Sequence, residues 1–221
     1  MTLPEERTMR LARWILGLLI FLALWIPGAA RADTFTAEEQ AALDRGEVVR
    51  HPLRQSEDTR GYLGGTSYVV IDQAPEVVWR AMNDFAAFPR VFPKTLAVEV
   101  ISDRGNRKVV RMVQGNSWIS ISFYVLYRIE EGNRKVSWSI IEDQPHDLVD
   151  TRGYWQVSPY GEGRSLVTYV NVISMGENPV LAVFADAIQN GLLGVPGNLR
   201  DWVQGENGAR YREGSATATN Q

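Results

Sequence analysis

The two histidines, and the acidic side chains around one of them, are the residues with the most direct potential for chemistry. His146 lies in the segment EDQPHD with Glu142, Asp143 and Asp147. Carboxylates with an imidazole suit hard or borderline cations. A zinc site usually adds further ligands at fixed spacing, and no second histidine follows at such a spacing. We therefore interpret the cluster as an exposed acidic turn and His51 as a solvated surface residue, and we expect no metal.

Motifs for covalent catalysis or phosphate binding are absent from the sequence. It contains no nucleophile elbow, no phosphate-binding glycine loop and no His-Glu-x-x-His motif. Ser120 and Ser122 alternate along a predicted strand on the face that points away from the interior, which makes them poor nucleophiles. Asp84 lies where it can cap the turn that runs to Phe88, and we favour that role over a catalytic acid. We predict no catalytic residue and no cofactor.

Arg111 and Tyr169 could place a polar group inside the fold, depending on strand parity. If Val110 and Met112 point inward, Arg111 is a surface cation, which is the interpretation we favour. With the opposite parity its guanidinium lies in the interior and could pair with the head group of a ligand. The same question decides whether the Tyr169 hydroxyl is a polar group in the interior.

The first 32 residues have the pattern of a secretory signal peptide. Arg10 and Arg13 precede the apolar run 14–26, and the small-residue sequence Ala30-Arg31-Ala32 follows. The run is shorter than the roughly 20 residues that cross a bilayer, so an uncleaved anchor is the less favoured alternative. We predict cleavage near Ala32 and a periplasmic or secreted protein. The absence of cysteine excludes disulfides and a lipid-modified cysteine.

The charge of the remaining chain argues against some partners. Without residues 1–32, which carry four Arg and two Glu, the chain has 19 basic and 24 acidic side chains. Nucleic acids and anionic membranes favour basic surfaces, so we expect no nucleic-acid partner. Seven Trp, eight Tyr and seven Phe supply aromatic surface for a core, a cavity or both.

A helix and a stiff aromatic turn follow the first core strand. Residues 68–71 are β-branched or aromatic and predict a strand, and Pro75 suits the first turn of a helix. Pro89 and Pro93 then fix the backbone of a turn that carries three phenylalanines. From residue 96 the apolar period changes to two, with Gly- and Asn-bearing connections that predict antiparallel hairpins. The predicted strands are 96–102, 108–114, 118–129, 135–141, 149–157 and 166–174.

Alternation is clearest in the segment WISISFYVLYRI. One set of its residues should face the interior, and the other set should face away. The inward set is Ile119, Ile121, Phe123, Val125, Tyr127 and Ile129. Trp138 and Trp155 share parity with inward valines on their own strands and should also face inward.

A long amphipathic segment follows the last strand. Apolar residues at steps of three or four predict one helical stripe, and Gly191, Gly194 and Pro196 predict a kink or break near its middle. The stripe comprises Leu181, Phe184, Ile188, Leu192, Val195, Leu199 and Trp202.

The two ends of the chain outside this core have simpler patterns. Thr36 and Glu39 form a capping box for a short N-terminal helix, residues 48–54 could form an edge strand, and the polar segment QSEDTRGYLGG predicts a loop. We divide the chain into a signal peptide (1–32), an N-terminal arm (33–60), a core domain (61–204) and a disordered tail (205–221).

This layout predicts an α+β fold. A twisted antiparallel sheet of about seven strands has one apolar face to cover, and the long C-terminal helix is the element that can cover it. The sheet should therefore curl around that helix, with the short helical pair after the first core strand closing one end. Incomplete filling of the space between them would leave an elongated cavity.

Three stretches resemble a known superfamily. The segments SYVVIDQAPEVVWRAMNDFAAFPRVFPKTLAVEVI and GYWQVSPYGEGRSLVTYVNV, with the C-terminal helix, resemble the START-like helix-grip (SRPBCC) superfamily, in its polyketide cyclase/dehydrase-like and coenzyme Q-binding START-like branches. The preceding TAEEQAALDRGEVV looks like the prefix of exported bacterial members. The resemblance implies a hydrophobic pocket that the family uses mostly for lipids, quinones, sterols or polyketides.

We predict periplasmic binding or transport of a hydrophobic small molecule without catalysis, with transient membrane contact. The sequence does not indicate the oligomeric state. The alternative is a cyclase/dehydrase-type enzyme acting on a polyketide-like substrate, and a third reading is an interaction module without a cavity. The predicted ligand-binding residues are Phe85, Phe88, Phe92, Arg111, Ile121, Phe123, Trp138, Trp155, Tyr169, Phe184, Ile188 and Leu192.

Overall fold

One antiparallel sheet frames the part of the chain that the structure describes. The computed structural model describes residues 35–57, 60–116, 118, 120–176 and 183–213. The predicted signal peptide lies outside these residues, as do Ile119 and Leu181. The strands are β1 (Val49–Glu57), β2 (Arg60–Ile71), β3 (Thr95–Asp103), β4 (Arg107–Gly115), β5 (Ser120–Glu130), β6 (Lys135–Ile140), β7 (Asp150–Pro159) and β8 (Ser165–Ser174).

The strand order follows from consecutive hairpins and one long-range pairing. The order is β1-β2-β8-β7-β6-β5-β4-β3, and every neighbouring pair is antiparallel. The pairing of β2 with β8 joins the N-terminal hairpin to the end of the meander. The sheet is curled but not closed, with β1 and β3 at its edges. The predicted α+β class and curled sheet are confirmed, with eight strands in place of about seven.

Burial along β5 follows the predicted alternation. Phe123, Val125 and Tyr127 are buried, whereas Tyr124 and Leu126 between them are only partly covered. The period of two therefore identified the inner face correctly, because side chains of a strand alternate between the faces of its sheet.

The loop predicted for the segment QSEDTRGYLGG is wrong, because β1 and β2 run through most of it as a hairpin. Gly64 and Gly65 have φ values of 144° and 140°, which side-chain-bearing residues rarely adopt. A Cβ atom on Gly64 would lie 2.0 Å from the carbonyl oxygen of Asn171 in β8. These glycines therefore permit close backbone approach inside the sheet, and they do not form a turn.

Six α-helices lie in the described chain, and two of them form the predicted pair after β2. The helices are α1 (Ala37–Asp44), α2 (Pro75–Met82), α3 (Phe88–Val91), α4 (Ala185–Leu193), α5 (Val195–Gln204) and α6 (Ala209–Glu213). A 3₁₀ turn, Phe85–Ala87, connects α2 to α3. The Asp84 carboxylate accepts a hydrogen bond of 3.1 Å from the backbone N–H of Ala86, which confirms the predicted cap.

The C-terminal amphipathic segment consists of two helices with a break at Gly194. Helix α4 ends at Leu193 and α5 begins at Val195, and Pro196, which has no N–H, lies in the first turn of α5. This confirms the predicted interruption. Helix α5 packs on β2 and α3, and it buries Leu199 and Val203 in the core.

The N-terminal arm is part of the sheet. Helix α1 begins directly after Thr36, packs on β1 and β2 and buries Leu43. Val49 and Tyr68 lie opposite each other in the ladder and are both buried. Strand β1 is thus an edge strand of the same eight-stranded sheet, as predicted for residues 48–54.

The tail predicted to be disordered from residue 205 instead begins with ordered helical structure. Residues 206–213 form a 3₁₀ turn and α6. Tyr211 is buried, its hydroxyl donates to the Asp84 carboxylate at 2.7 Å, and it accepts from the Trp202 indole N–H at 2.9 Å. The polar composition of this segment predicted disorder, but the buried side chain of Tyr211 anchors it to the core. Residues 214–221 lie outside the described part.

Within the described ranges, no helix is both long enough and apolar enough to cross a membrane.

Substitution of Gly64 by alanine should strongly destabilise the fold. The added Cβ meets the Asn171 carbonyl at 2.0 Å with φ at 144°, so we expect a loss of about 2 to 4 kcal/mol in the free energy of unfolding. Gly61→Ala on the same strand is the matched control, since a Cβ there meets no atom within 4 Å. Urea unfolding followed by circular dichroism measures both. Equal stability of the two variants would contradict the close approach.

Candidate ligand-binding cavity

A cavity of about 310 Å³ lies between α4 and the inner face of the sheet. This volume lies at the lower end of the range for small-molecule sites. The sheet and its connections contribute Phe92, Pro93, Lys94, Met112, Gln114, Gly115, Asn116, Ile121, Phe123, Val125, Tyr127, Trp138, Leu148, Thr151, Asn171, Ile173 and Met175. The helical segment contributes Phe184, Ala187, Ile188, Gly191, Leu192 and Val195.

One face of α4 forms the roof of this cavity. Phe184, Ile188, Gly191 and Leu192 recur at helical spacing and all line it. A Cβ atom built on Gly191 would meet no atom within 4 Å. The roof is therefore thinnest at Gly191, where the helix faces open space.

A buried glutamine holds α4 against the first two strands. The Gln189 amide nitrogen donates to the carbonyls of Leu53 in β1 and Gly64 in β2, at 2.9 and 2.8 Å. Its oxygen accepts from the Arg54 Nε at 2.9 Å, and Arg54 also pairs with Asp186. These bonds satisfy the hydrogen-bonding groups of the buried amide. They therefore hold α4 in place without requiring apolar side chains to fill the space between the helix and the sheet.

Partly exposed lining residues mark the mouth of the cavity. Phe184 lines the cavity and is 53% exposed, and Pro93, Lys94 and Asn116 are also exposed. The backbone N–H of Trp118, which follows at the tip of the β4–β5 connection, donates to the Asn116 side chain at 2.9 Å. Lys94 is the one charged side chain among the described lining residues, and it lies at this mouth.

The opposite end is closed by a cluster of aromatic rings, which we call the aromatic floor. Neighbouring rings have centroid separations of 4.7 to 6.4 Å, in tilted or edge-to-face arrangements that aromatic pairs prefer. The aromatic floor comprises Phe85, Phe88, Phe92, Tyr127, Trp138, Trp155 and Tyr169. The stiff phenylalanine turn that follows α2 therefore supplies part of this aromatic floor.

Both tyrosines of the aromatic floor are neutral at physiological pH. Burial raises the pKa of the Tyr127 hydroxyl far above its ordinary value, and the hydroxyl lies 3.7 Å from the Met112 sulfur. Burial, and then the nearby Tyr127, raise the pKa of Tyr169, and the Asn171 side chain opposes the rise without reaching hydrogen-bond geometry with the hydroxyl. Neither phenol can serve as a base near neutral pH.

Two polar side chains interrupt the apolar wall on β7 and β8. Thr151 and Asn171 are 4% and 6% exposed, and both line the cavity. The Thr151 hydroxyl donates to the Asn171 Oδ1 at 3.5 Å, near the limit for a hydrogen bond. The sequence interpretation missed this pair, although Asn171 shares the inward parity of Val167 and Tyr169, and a polar residue in that set was the available signal.

Seven of the twelve residues predicted to bind ligand line the cavity: Phe92, Ile121, Phe123, Trp138, Phe184, Ile188 and Leu192. Whether they contact a ligand stays a prediction. Phe85, Phe88, Trp155 and Tyr169 do not line the cavity and form the inner layer of the aromatic floor, because they pack on one another. For Tyr169 the inward parity is settled, but its hydroxyl is covered.

Arg111 does not line the cavity. Val110 and Met112 are buried on the inner face, so Arg111 points to the other side of β4. Its guanidinium lies 3.8 Å from the Glu99 carboxylate on β3. The favoured interpretation of Arg111 as a surface cation agrees with this geometry, and its assignment as a ligand-binding residue does not.

The histidines have structural partners. His146 Nδ1 donates to the Leu148 carbonyl, and the adjacent Asp147 carboxylate accepts from the Ser122 backbone N–H at 2.8 Å. His51 contacts Glu39 at 2.6 Å. In the described chain, no three His, Asp or Glu residues are grouped so that they could hold a metal ion.

A family model places the chain among known proteins. The model described as polyketide cyclase/dehydrase and lipid transport matches residues 65–195, more than half of the chain. The chain belongs to this family. The match spans the sheet from β2 to β8 and the roof helix α4, so the family includes the elements that enclose the cavity. No curated protein matches the chain.

Solved structures support the same fold at low sequence identity. A STAR-related lipid transfer protein from Xanthomonas axonopodis has a TM-score of 0.54 at 14% identity, covering 74% of this chain and 98% of its own. The Zhui aromatase/cyclase from Streptomyces sp. R1128 has a TM-score of 0.51 at 13% identity, covering 70% and 97%. Truncated norcoclaurine synthase from Thalictrum flavum has 0.51 at 11%, covering 68% and 98%. These neighbours share the helix-grip architecture, and their names describe different activities.

Substitution of Tyr169 by phenylalanine should leave the protein equally stable or more stable. The hydroxyl is buried and has no hydrogen-bond partner in the described chain, so its removal relieves a desolvation penalty of about 1 kcal/mol or more. Tyr211→Phe is the control, because that hydroxyl makes two hydrogen bonds and its loss should cost about 1 to 2 kcal/mol. Thermal unfolding compares the two. A clear loss of stability in Tyr169→Phe would reveal a partner for its hydroxyl.

Proposed function

We propose that this protein is an exported, non-catalytic carrier of a hydrophobic small molecule. Family membership supports either hydrophobic ligand binding or cyclase/dehydrase chemistry. The observation that favours binding is the cavity, whose described lining is largely apolar and has its one charged side chain, Lys94, at the mouth. Burial of apolar ligand surface there is favourable by roughly 25 cal/mol per Å².

The described lining contains no Asp, Glu or His side chain, which supports a role without catalysis. A cyclase or dehydrase needs an acid or base within hydrogen-bond reach of its substrate. Lys94 lies at the mouth, and Tyr127 lies on the inner wall, where burial raises its pKa so that it stays protonated at neutral pH. Arg111, which the enzyme alternative could have used, lies on the outer side of the sheet beside Glu99.

Export is the part of the proposal that rests on sequence alone. Arg10 and Arg13, the apolar run 14–26 and the Ala30-Arg31-Ala32 sequence have the order of a secretory signal. A chain without cysteine needs no oxidising machinery to fold in the periplasm.

Transient contact with a membrane surface would supply the ligand. Trp118 is 91% exposed at the tip of the β4–β5 connection, and Phe184 is half exposed at the mouth beside the cavity. Aromatic side chains partition into the bilayer interface. The acidic balance of the chain favours a zwitterionic surface over an anionic one.

A variant that fills the cavity should abolish binding. Gly191→Phe directs a ring from α4 into the open space, and we expect the affinity for the neutral probe N-phenyl-1-naphthylamine to fall by about tenfold or more. Asn190→Phe, one residue away on the exposed side of the same helix, is the control and should bind like the wild type. Fluorescence titration of purified protein measures both. Equal binding by wild type and Gly191→Phe would refute this site.

The membrane contact predicts a position-dependent loss of vesicle binding. Trp118→Ser should lower co-sedimentation with phosphatidylcholine vesicles by about threefold or more, since an interfacial indole is lost. Ile101→Ser is the control. Ile101 is also exposed, but it lies near the C-terminal end of β3, whereas the mouth residue Lys94 directly precedes the N-terminal end of that strand. An equal effect of the two substitutions would point to nonspecific adsorption.

A further inference from the structure

Asn171 is a polar side chain with unused hydrogen-bonding capacity in an apolar enclosure. It is 94% buried, lines the cavity, and belongs to the inward set of β8 with Val167, Tyr169 and Ile173. Its Oδ1 accepts from Thr151, and its amide lies near the Tyr169 hydroxyl, where it opposes the rise of that hydroxyl's pKa without reaching hydrogen-bond geometry. An amide carries two N–H donors, so even with one directed toward Tyr169 the other remains available to a molecule in the cavity.

The neighbouring residues keep this donor in place. Asn171 lies directly opposite Gly153 in the β7–β8 ladder, and a Cβ on Gly153 would come within 2.7 Å of the Trp138 ring and 3.0 Å of the Asn171 Cα. The missing side chain at 153 lets the Trp138 indole lie against the strand beside Asn171. The Thr151 hydroxyl holds the amide through Oδ1, and the β7–β8 ladder fixes the position of Asn171 on its strand.

The charges around this pair exclude an ionised partner. No Arg, Lys, His, Asp or Glu side chain of the described chain lines the cavity wall away from the mouth, and Lys94 lies at the mouth. An ionised group taken from water into such a wall loses its hydration without a counter-charge. A neutral acceptor loses far less, and it satisfies a donor that would otherwise be left unpaired in an apolar site.

We infer that Asn171 and Thr151 form a polar subsite that selects ligands with an apolar body and one uncharged oxygen, a carbonyl above all. The Asn171 amide donates to the carbonyl oxygen. The Thr151 hydroxyl donates its one proton to the Asn171 Oδ1 and thereby orients the amide. This inference rests on the proposed binding function and names the class of ligand that the cavity takes. It assigns the pair a role in recognition, without a covalent step.

Three probes of equal size test the subsite. The ketone 2-acetylnaphthalene, the alkene 2-isopropenylnaphthalene and the anion of 2-naphthoic acid have the same ring and nearly the same shape. We expect the wild-type protein to bind the ketone about tenfold more tightly than the alkene, and the carboxylate most weakly. Equilibrium dialysis at pH 7 measures the three dissociation constants on the full mature protein.

Variants assign the preference to the pair. Asn171→Leu should bind ketone and alkene within about twofold of each other, because the donor is gone while the wall remains apolar. Thr151→Val, which keeps the side-chain shape, should reduce the ketone preference about threefold and guards against misfolding of the first variant. Thr168→Val is the control: Thr168 lies on the outer side of the same strand as Asn171 and is not among the described residues that line the cavity, so its loss should leave the ketone preference intact.

The possible outcomes distinguish a failure of the polar subsite from a failure of the proposed ligand-binding function. Equal binding of ketone and alkene by the wild type, or an unchanged ketone preference in both Asn171→Leu and Thr151→Val, would overturn the subsite while the cavity-binding function stands. A carboxylate that binds best would also overturn it. Failure of all three probes to bind would contradict the binding function itself.

Discussion

The buried amide of Gln189 is the interaction on which the cavity depends. A helix over the apolar face of a sheet normally settles until side chains fill the space between them, because empty volume forfeits dispersion contacts. Here the Gln189 amide is bonded to two strand carbonyls and to Arg54, so the height of α4 above the sheet is set by hydrogen bonds of fixed length. The roof can stand at that height whether or not a guest is present.

The two halves of the C-terminal segment then have different tasks. Helix α5 buries Leu199 and Val203 against the core and anchors the segment, whereas α4 exposes one face to solvent and the other to the cavity. The break at Gly194 lets the two differ in packing without disturbing each other's hydrogen bonds. Helix α5 therefore contributes mainly to the stability of the core, whereas α4 contributes mainly to the wall of the cavity.

The periodicity of apolar residues predicted most of the fold correctly, and the errors of the prediction have local causes. Alternation in β5 and the stripe on α4 identified inner faces correctly, because one buried surface dominates each element. The segment with Gly64 and Gly65 was predicted to be a loop, because composition alone does not show that the backbone of a neighbouring strand lies against these glycines. The helical residues after 205 depend on one tyrosine, Tyr211, and its partner Asp84 far away in the sequence. Thr151 and Asn171 match no catalytic motif in the sequence, and their importance comes from the enclosure that other strands build around them.

The aromatic floor makes the cavity a dead end. Its rings lock against one another at the inner end, and the exposed lining residues lie at the other. A guest therefore leaves by the route it entered, and whichever end went in first comes out last. If the proposed carrier takes its ligand from a bilayer, the ligand keeps its orientation until release, and the same face of the protein has to meet the donor and then the acceptor.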